Sequence, residues 1–318
     1  MLIVNLLILF ASTIVLARSS LFLVRSLVNI AAFFRLTEFS VAFILMALAT
    51  SLPEIFVGIS AALENAPTLV LGNVVGSNIV DLTLVFGIVI LVSGGLYSKS
   101  VIAKRDSLYM MMFSSAPIML MFDGMLSRGD AVILMIFYSI YIMRLLDQRK
   151  SFHETETHVT SREALQSFLI FTVGALLLIF SAQVLVYAAK NLADILGFSV
   201  GLVGLFIVAL GTSLPELAFE LQAIKKHEDS LVLGDLIGSV VTNSTLVLAI
   251  TALFRPIIIP DITVYATPTL FLAVILVLFE VVVRQDKKLG LVEGLLFLFI
   301  YVFFLISEVG VGITLHIF

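Results

Sequence analysis

Ten apolar blocks alternate with short polar gaps along this chain, near 2–17, 38–63, 68–95, 106–122, 131–146, 164–188, 199–225, 230–253, 262–283 and 290–308. An α-helix needs roughly 20 predominantly apolar residues to cross the ~30 Å hydrocarbon core of a bilayer. The pattern therefore predicts an all-α polytopic membrane protein of ten transmembrane helices. One long polar stretch, DQRKSFHETETHVTSRE from Asp147 to Glu163, divides them five and five. The expected division is a first five-helix unit over 1–146, a linker over 147–163 and a second unit over 164–318.

Two blocks carry polar residues where apolar character should peak. LATSLPEIF occupies 48–56, and LGTSLPELA repeats it at 210–218. A second pair follows each, GNVVGSNIVD at Gly72–Asp81 and GDLIGSVVTN at Gly234–Asn243. Thr50 aligns with Thr212, Glu54 with Glu216, Gly76 with Gly238 and Ser77 with Ser239, all at an offset of 162 without a gap. Five helices per repeat is an odd number, so the second copy enters the membrane upside down. Inverted repeats with interrupted helices in matching positions point to the binding site of a secondary transporter. The interruptions are expected in helices 2, 3, 7 and 8.

Composition agrees with a membrane chain: 61% of the 318 residues are hydrophobic and 13% are charged. Soluble domains carry about 25% charged residues. Cysteine is absent, which excludes disulfides and thiolate metal sites. Met1–Ala17 lacks a basic leader and ends on Arg18, so it reads as a retained span. Basic residues test the helix count through their bias to the cytoplasmic side. Alternate loops hold 15 of the 18 Lys and Arg, leaving Arg128, Lys190 and Arg255 opposite. Both termini are expected outside the cytoplasm and the 147–163 linker inside it, in a cell membrane of prokaryotic type.

Within the motifs, proline removes a backbone donor and frees a carbonyl about one turn earlier. Freed carbonyls beside Thr50, Ser51, Thr212 and Ser213 make an oxygen-rich pocket, and glycines at 72, 76, 234 and 238 let neighbouring helices approach. Glu54, Glu216 and Asp81 lie inside apolar spans, where an ionised acid costs at least ~2.5 kcal/mol. A structural ion pair is the ordinary explanation, yet neither motif region contains Lys or Arg away from the loop ends. The counter-ions then come from solution. Carboxylate, hydroxyl and carbonyl oxygens suit Ca²⁺ or Na⁺ and are poor ligands for soft metals. The competing roles are a protonated, hydrogen-bonded Asp81 and interhelical bonding by the Thr and Ser hydroxyls. Glu220, one turn beyond Glu216, reads equally as an approach-path acid or as a partner of Lys225 or water. Asn73 and Asp235 read equally as cavity groups or solvated caps. His153, His158, His227 and His316 fall in loops or at the chain end, which removes the base that a serine intramembrane protease requires.

The paired TSLPE signatures, the GNVVGSN segment and their inverted spacing resemble the alpha repeats of the cation/calcium exchanger superfamily. Within it they resemble sodium/calcium exchangers of prokaryotic size, over roughly 41–90 and 203–252. The resemblance implies a secondary antiporter that exchanges Na⁺ for Ca²⁺ by alternating access, the first and sixth helices sliding across a rigid core. It implies Glu54 and Glu216 as central carboxylates shared by both ions. Thr50, Ser51, Thr212 and Ser213 would add oxygens, the Ala47 and Ala209 carbonyls would serve flanking Na⁺ sites, and Ser77 and Ser239 would complete them. No cofactor, nucleic acid or obligatory protein partner is implied; the partners are the two ions and the lipid bilayer, with H⁺ a further candidate ion.

Two departures from the family pattern stand out. The last position of the second patch is Asn then Asp in well-known prokaryotic members, but here it is Asp81 then Asn243. Val240 and Thr242 also replace the Asn and Phe of a GSNIFN pattern. A Ca²⁺/H⁺ antiporter and a K⁺-dependent exchanger share the fold and stay open as alternatives. A cation channel with Glu54 and Glu216 as a selectivity ring is the alternative of another class. Thr50 and Thr212, where the proton-coupled branch usually carries Asn, favour sodium.

Overall fold

The computed structural model describes residues 1–33, 50–97, 101–147, 160–225, 229–259, 263–285 and 288–317. Helix α1 covers Leu2–Phe33, α2 covers Leu52–Leu63 and α3 covers Pro67–Ser93. Then come α4 (Val101–Leu120), α5 (Arg128–Asp147), α6 (Ser161–Leu196) and α7 (Val200–Lys225). Finally α8 covers Asp229–Phe254, α9 Thr263–Arg284 and α10 Leu291–Ile317. Among the described residues, eight stretches are long and apolar enough to cross a bilayer. The chain is a multi-pass integral membrane protein.

Local chemistry sets the ends. Thr160 and Glu163 form a reciprocal capping box at the start of α6, with the Thr160 N–H donating to Glu163 Oε2 at 2.8 Å. Gly94 and Gly197 adopt the left-handed conformation just beyond α3 and α6, at φ +67° and +70°. The tight turn before α3 passes through Asn65 at φ +60°, and Pro67 then opens the helix.

Helix α1 runs without a break from its apolar block at 2–17 through Ser19 to Phe33, as an amphipathic continuation of the first span would. Its buried positions Asn5, Leu9, Ser12, Leu16, Ser19, Leu23 and Ser26 alternate at spacings of four and three. Helix α6 buries Ser167, Gly174, Leu178, Ser181, Leu185, Ala188 and Leu192 on the same rhythm, with Phe171 partly buried between. That is a heptad seam. A Cβ on Gly174 would meet Leu23 Cγ at 3.2 Å, and Asn29 Nδ2 donates to Ser167 Oγ at 3.2 Å, so the helices run antiparallel. Gly174 of α6 thus receives Leu23 of α1, an arrangement that lets helices pack closely in lipid.

Helices α3 and α8 lie at the centre, 83% of each apolar span being buried. Helix α3 crosses α7 in backbone contact: a Cβ on Gly72 would stand 1.9 Å from the Gly201 carbonyl oxygen, and one on Gly76 2.2 Å from that of Leu205. Outer faces are greasy, with Phe10, Leu176, Phe180 and Phe299 each more than 60% exposed, as lipid contact requires. Two short antiparallel ribbons close the ends. β1 (Leu96–Tyr97) pairs with β4 (Lys288–Leu289), and β2 (Met125–Leu126) pairs with β3 (Ile257–Ile258). Each ribbon joins two loops that the charge bias assigns to one side of the membrane.

Candidate functional site

The two TSLPE motifs have one geometry. Ser51, directly before α2, sits at φ −80°, ψ 3°, and Ser213, which breaks α7, has the same conformation at φ −81°, ψ 0°. Each proline then sits in the first turn of the following helix, where its missing N–H is tolerated. The turns bring Glu54 and Glu216 to the start of a helix, the favoured end for a negative charge. The interruptions in α3 and α8 take a gentler form. Both helices widen into a single π-turn, at Asp81–Val85 and at Asn243–Val247, again 162 residues apart. Such turns recur at functional sites.

Hydroxyls knit the repeats together across the centre. Ser77 and Thr212 share a hydrogen bond of 3.1 Å, and Thr212 Oγ1 is 3.2 Å from Asn73 Oδ1, to which it donates. At the matching place, Ser239 and Thr50 share one of 3.0 Å, and Thr50 Oγ1 donates to Asp235 Oδ1 at 3.3 Å. The threonine of each repeat thus reaches the second patch of the other. Asn78 Nδ2 adds a 2.7 Å bond to Ser244 Oγ.

The acids stand among these hydroxyls. Glu54, Asp81 and Glu216 are at most 1% exposed, and none of their carboxylate oxygens has a hydrogen-bond partner among the described residues. The Ser77 and Thr212 hydroxyls flank Glu54 without closing a bond of ordinary geometry, and Ser213 does the same beside Asp81. Glu216 lies within electrostatic reach of Glu54 and Asp81. Asn243 is buried with both side-chain polar atoms unpartnered among the described residues, as are the Ser51 and Ser213 hydroxyls. Among the described residues no Lys, Arg or His is buried. Unpaired carboxylates in a dry interior are costly, and cations ligated by these oxygens would relieve that cost. Since no three acids or imidazoles converge on one point among the described residues, hydroxyl and carbonyl oxygens would complete the shell. The donor set fits hard cations.

The structure therefore gathers Thr50, Ser51, Glu54, Ser77, Asp81, Thr212, Ser213, Glu216, Ser239 and Asn243 in the buried centre, with Ala209 one turn before the α7 break. Ala47 lies outside the described residues. Asn73 and Asp235 are buried and bonded to the motif threonines, which decides against solvated caps. Each stands one helical turn before Ser77 or Ser239, and that spacing is the sequence signal for them. Glu220 is fully buried instead of meeting water.

An inverted-repeat helical core with paired acids at its buried centre defines the class of secondary cation transporters. The chain belongs to the sodium/calcium exchanger protein family, whose model matches residues 4–146 and 166–309. It is 28% identical to the sodium/calcium exchanger MaX1 of Methanosarcina acetivorans, covering 96% of this chain and 99% of that protein. An uncharacterized membrane protein of Methanocaldococcus jannaschii, MJ0091, is 30% identical over 86% of this chain and 88% of its own length. A solved structure of the sodium-calcium exchanger NCX_Mj, soaked with Na⁺ and Sr²⁺, superposes with a TM-score of 0.68 at 27% identity, covering 96% and 99% of the two chains.

Proposed function

We propose that this chain is a secondary antiporter that exchanges Na⁺ for Ca²⁺ by alternating access, with Glu54 and Glu216 as the carboxylates that both ions use. The observation that carries the reading is the pair of buried acids, unpartnered among the described residues, at equivalent places in two inverted repeats. Asp81 and Asn243 flank them, and Thr50, Ser51, Thr212, Ser213, Ser77, Ser239 and the Ala47 and Ala209 carbonyls supply neutral oxygen. Competition follows from charge. A divalent ion neutralises two carboxylates, and several Na⁺ ions can do the same only by displacing it. Helices α1 and α6, locked by their seam, would slide as one body across the core formed by the other helices. The units 1–146 and 164–318 are the two repeats. The bias of basic residues supports a cytoplasmic side for the β1–β4 ribbon and the 147–163 linker, with both termini outside.

Calcium-45 uptake into proteoliposomes preloaded with Na⁺, K⁺ or a proton gradient tests this. Uptake that requires internal Na⁺ and disappears in Glu54→Gln and Glu216→Gln is expected. Uptake driven by a proton gradient alone would move the protein to the Ca²⁺/H⁺ class. A requirement for K⁺ alongside Na⁺ would make it a K⁺-dependent exchanger, and uncoupled flux would make it a channel.

A further inference from the structure

The two repeats differ where they should match. Gly58 corresponds to Glu220 and Asn73 to Asp235 at the offset of 162, so the second repeat carries two acids that the first lacks. The first repeat has no room for one of them, since a Cβ on Gly58 would stand 2.6 Å from Thr251 Oγ1. In the second repeat the room exists. Glu220 is fully buried, both its oxygens are without a hydrogen-bond partner among the described residues, and Asp235 and Asp81 lie within its electrostatic reach. Asp235 is 4% exposed and receives the Thr50 hydroxyl on one oxygen, while the other, Oδ2, is unpartnered. Ser239 in turn shares a hydrogen bond with Thr50.

These groups occupy one half of the core. Glu220 lies five residues before the end of α7 and Asp235 six residues after the start of α8. At 1.5 Å per residue both are about 8–9 Å inside the same face. The β1–β4 ribbon marks that face, because the Tyr97 N–H donates to Asp229 Oδ2 at 2.9 Å. Tyr141 of α5 is buried beside this region, within electrostatic reach of Asp235.

We propose that Glu220 and Asp235, with the Thr50 and Ser239 hydroxyls, form a further Ca²⁺ site between the ribbon face and the central carboxylates. Two carboxylates balance one divalent ion. Carboxylate and hydroxyl oxygens are the donors that Ca²⁺ takes, and the absence of cysteine and of buried histidine among the described residues disfavours softer metals. The site rests on the exchange reading and deepens it. An ion held here waits one helical turn from Glu216, so the second repeat stages Ca²⁺ on one side of the membrane only.

The test is equilibrium calcium-45 binding to the purified full-length chain in detergent without Na⁺, paired with tyrosine-sensitised Tb³⁺ luminescence. The wild type should bind two Ca²⁺ per chain, and monodisperse Glu220→Gln and Asp235→Asn should each bind one. Tyr141→Phe should keep the Ca²⁺ count and lower the Tb³⁺ signal, because the chain has no tryptophan and Tyr141 lies within electrostatic reach of Asp235. One Ca²⁺ per chain in the wild type, unchanged by Glu220→Gln and Asp235→Asn, overturns the further site. If that one ion is then lost in Glu54→Gln, the exchange reading survives. A wild-type count retained in both Glu54→Gln and Glu216→Gln would sink the exchange reading itself.

Discussion

Thr50 donates its hydroxyl to the Asp235 carboxylate at 3.3 Å, whereas its counterpart Thr212 donates to the Asn73 amide oxygen at 3.2 Å. The contact is one relationship used twice, with a carboxyl acceptor in one copy and an amide acceptor in the other. A buried hydrogen bond to a charged group contributes about 1.5–3 kcal/mol, against about 0.5–1.5 kcal/mol for a neutral pair. With Ca²⁺ bound and Asp235 ionised, Thr50→Val should therefore lower thermal stability in detergent roughly twice as far as Thr212→Val. Equal shifts would show that Asp235 is not held as a carboxylate by Thr50.

Across the two π-turns, Asp81 and Asn243 exchange the acid and the amide that the resemblance leads one to expect in the other order. The site's total charge is preserved by that exchange. Asp81→Asn should weaken Ca²⁺ binding by about tenfold or more, equivalent to ~1.4 kcal/mol. Adding Asn243→Asp should restore much of the loss. A double variant as weak as the single one would mean that the acid works only from α3.

Gly72 is where α3 meets the backbone of α7. Because its Cβ would fall 1.9 Å from the Gly201 carbonyl oxygen, Gly72→Ala forces two helix backbones apart. Overpacking of this kind costs typically ~1–3 kcal/mol and can cost more. Yield of monodisperse protein should fall sharply for Gly72→Ala and hold for Gly129→Ala, whose nearest neighbour would be at an ordinary 3.4 Å. Normal yield and melting for Gly72→Ala would show that the crossing relaxes easily.

Removing the ions should loosen the core. A ligand that binds only the folded state at a hundred times its Kd stabilises by about 2.7 kcal/mol. Saturating Ca²⁺, and separately Na⁺, should raise the melting temperature over a chelated, choline-balanced control, with the Ca²⁺ shift reduced in Glu216→Gln. A Ca²⁺ shift of full size in that variant would place binding away from Glu216.

Much of this arrangement was legible in the sequence because membrane burial makes polar residues conspicuous. Glu54, Glu216 and Asp81 stand out in apolar runs for that reason, and the 162-residue offset carries over into matching breaks and π-turns. The seam between α1 and α6 was less visible. Arg18 ends the apolar run, yet it lies on an exposed face of α1, while Ser19 and Ser26 continue the buried stripe beyond it. A hydropathy pattern averages around the helix and loses that distinction. Glu220 was ambiguous because its complete burial depends on how other helices pack around α7, which a hydropathy pattern does not show.

The crossed hydroxyl pairs also bear on ancestry. Ser77 finds its partner on Thr212, and Thr50 finds its partners on Ser239 and Asp235. A single five-helix unit would own one half of every such pair and complete none. A half-length forebear would therefore complete this centre only as a pair of copies, each supplying what the other lacks.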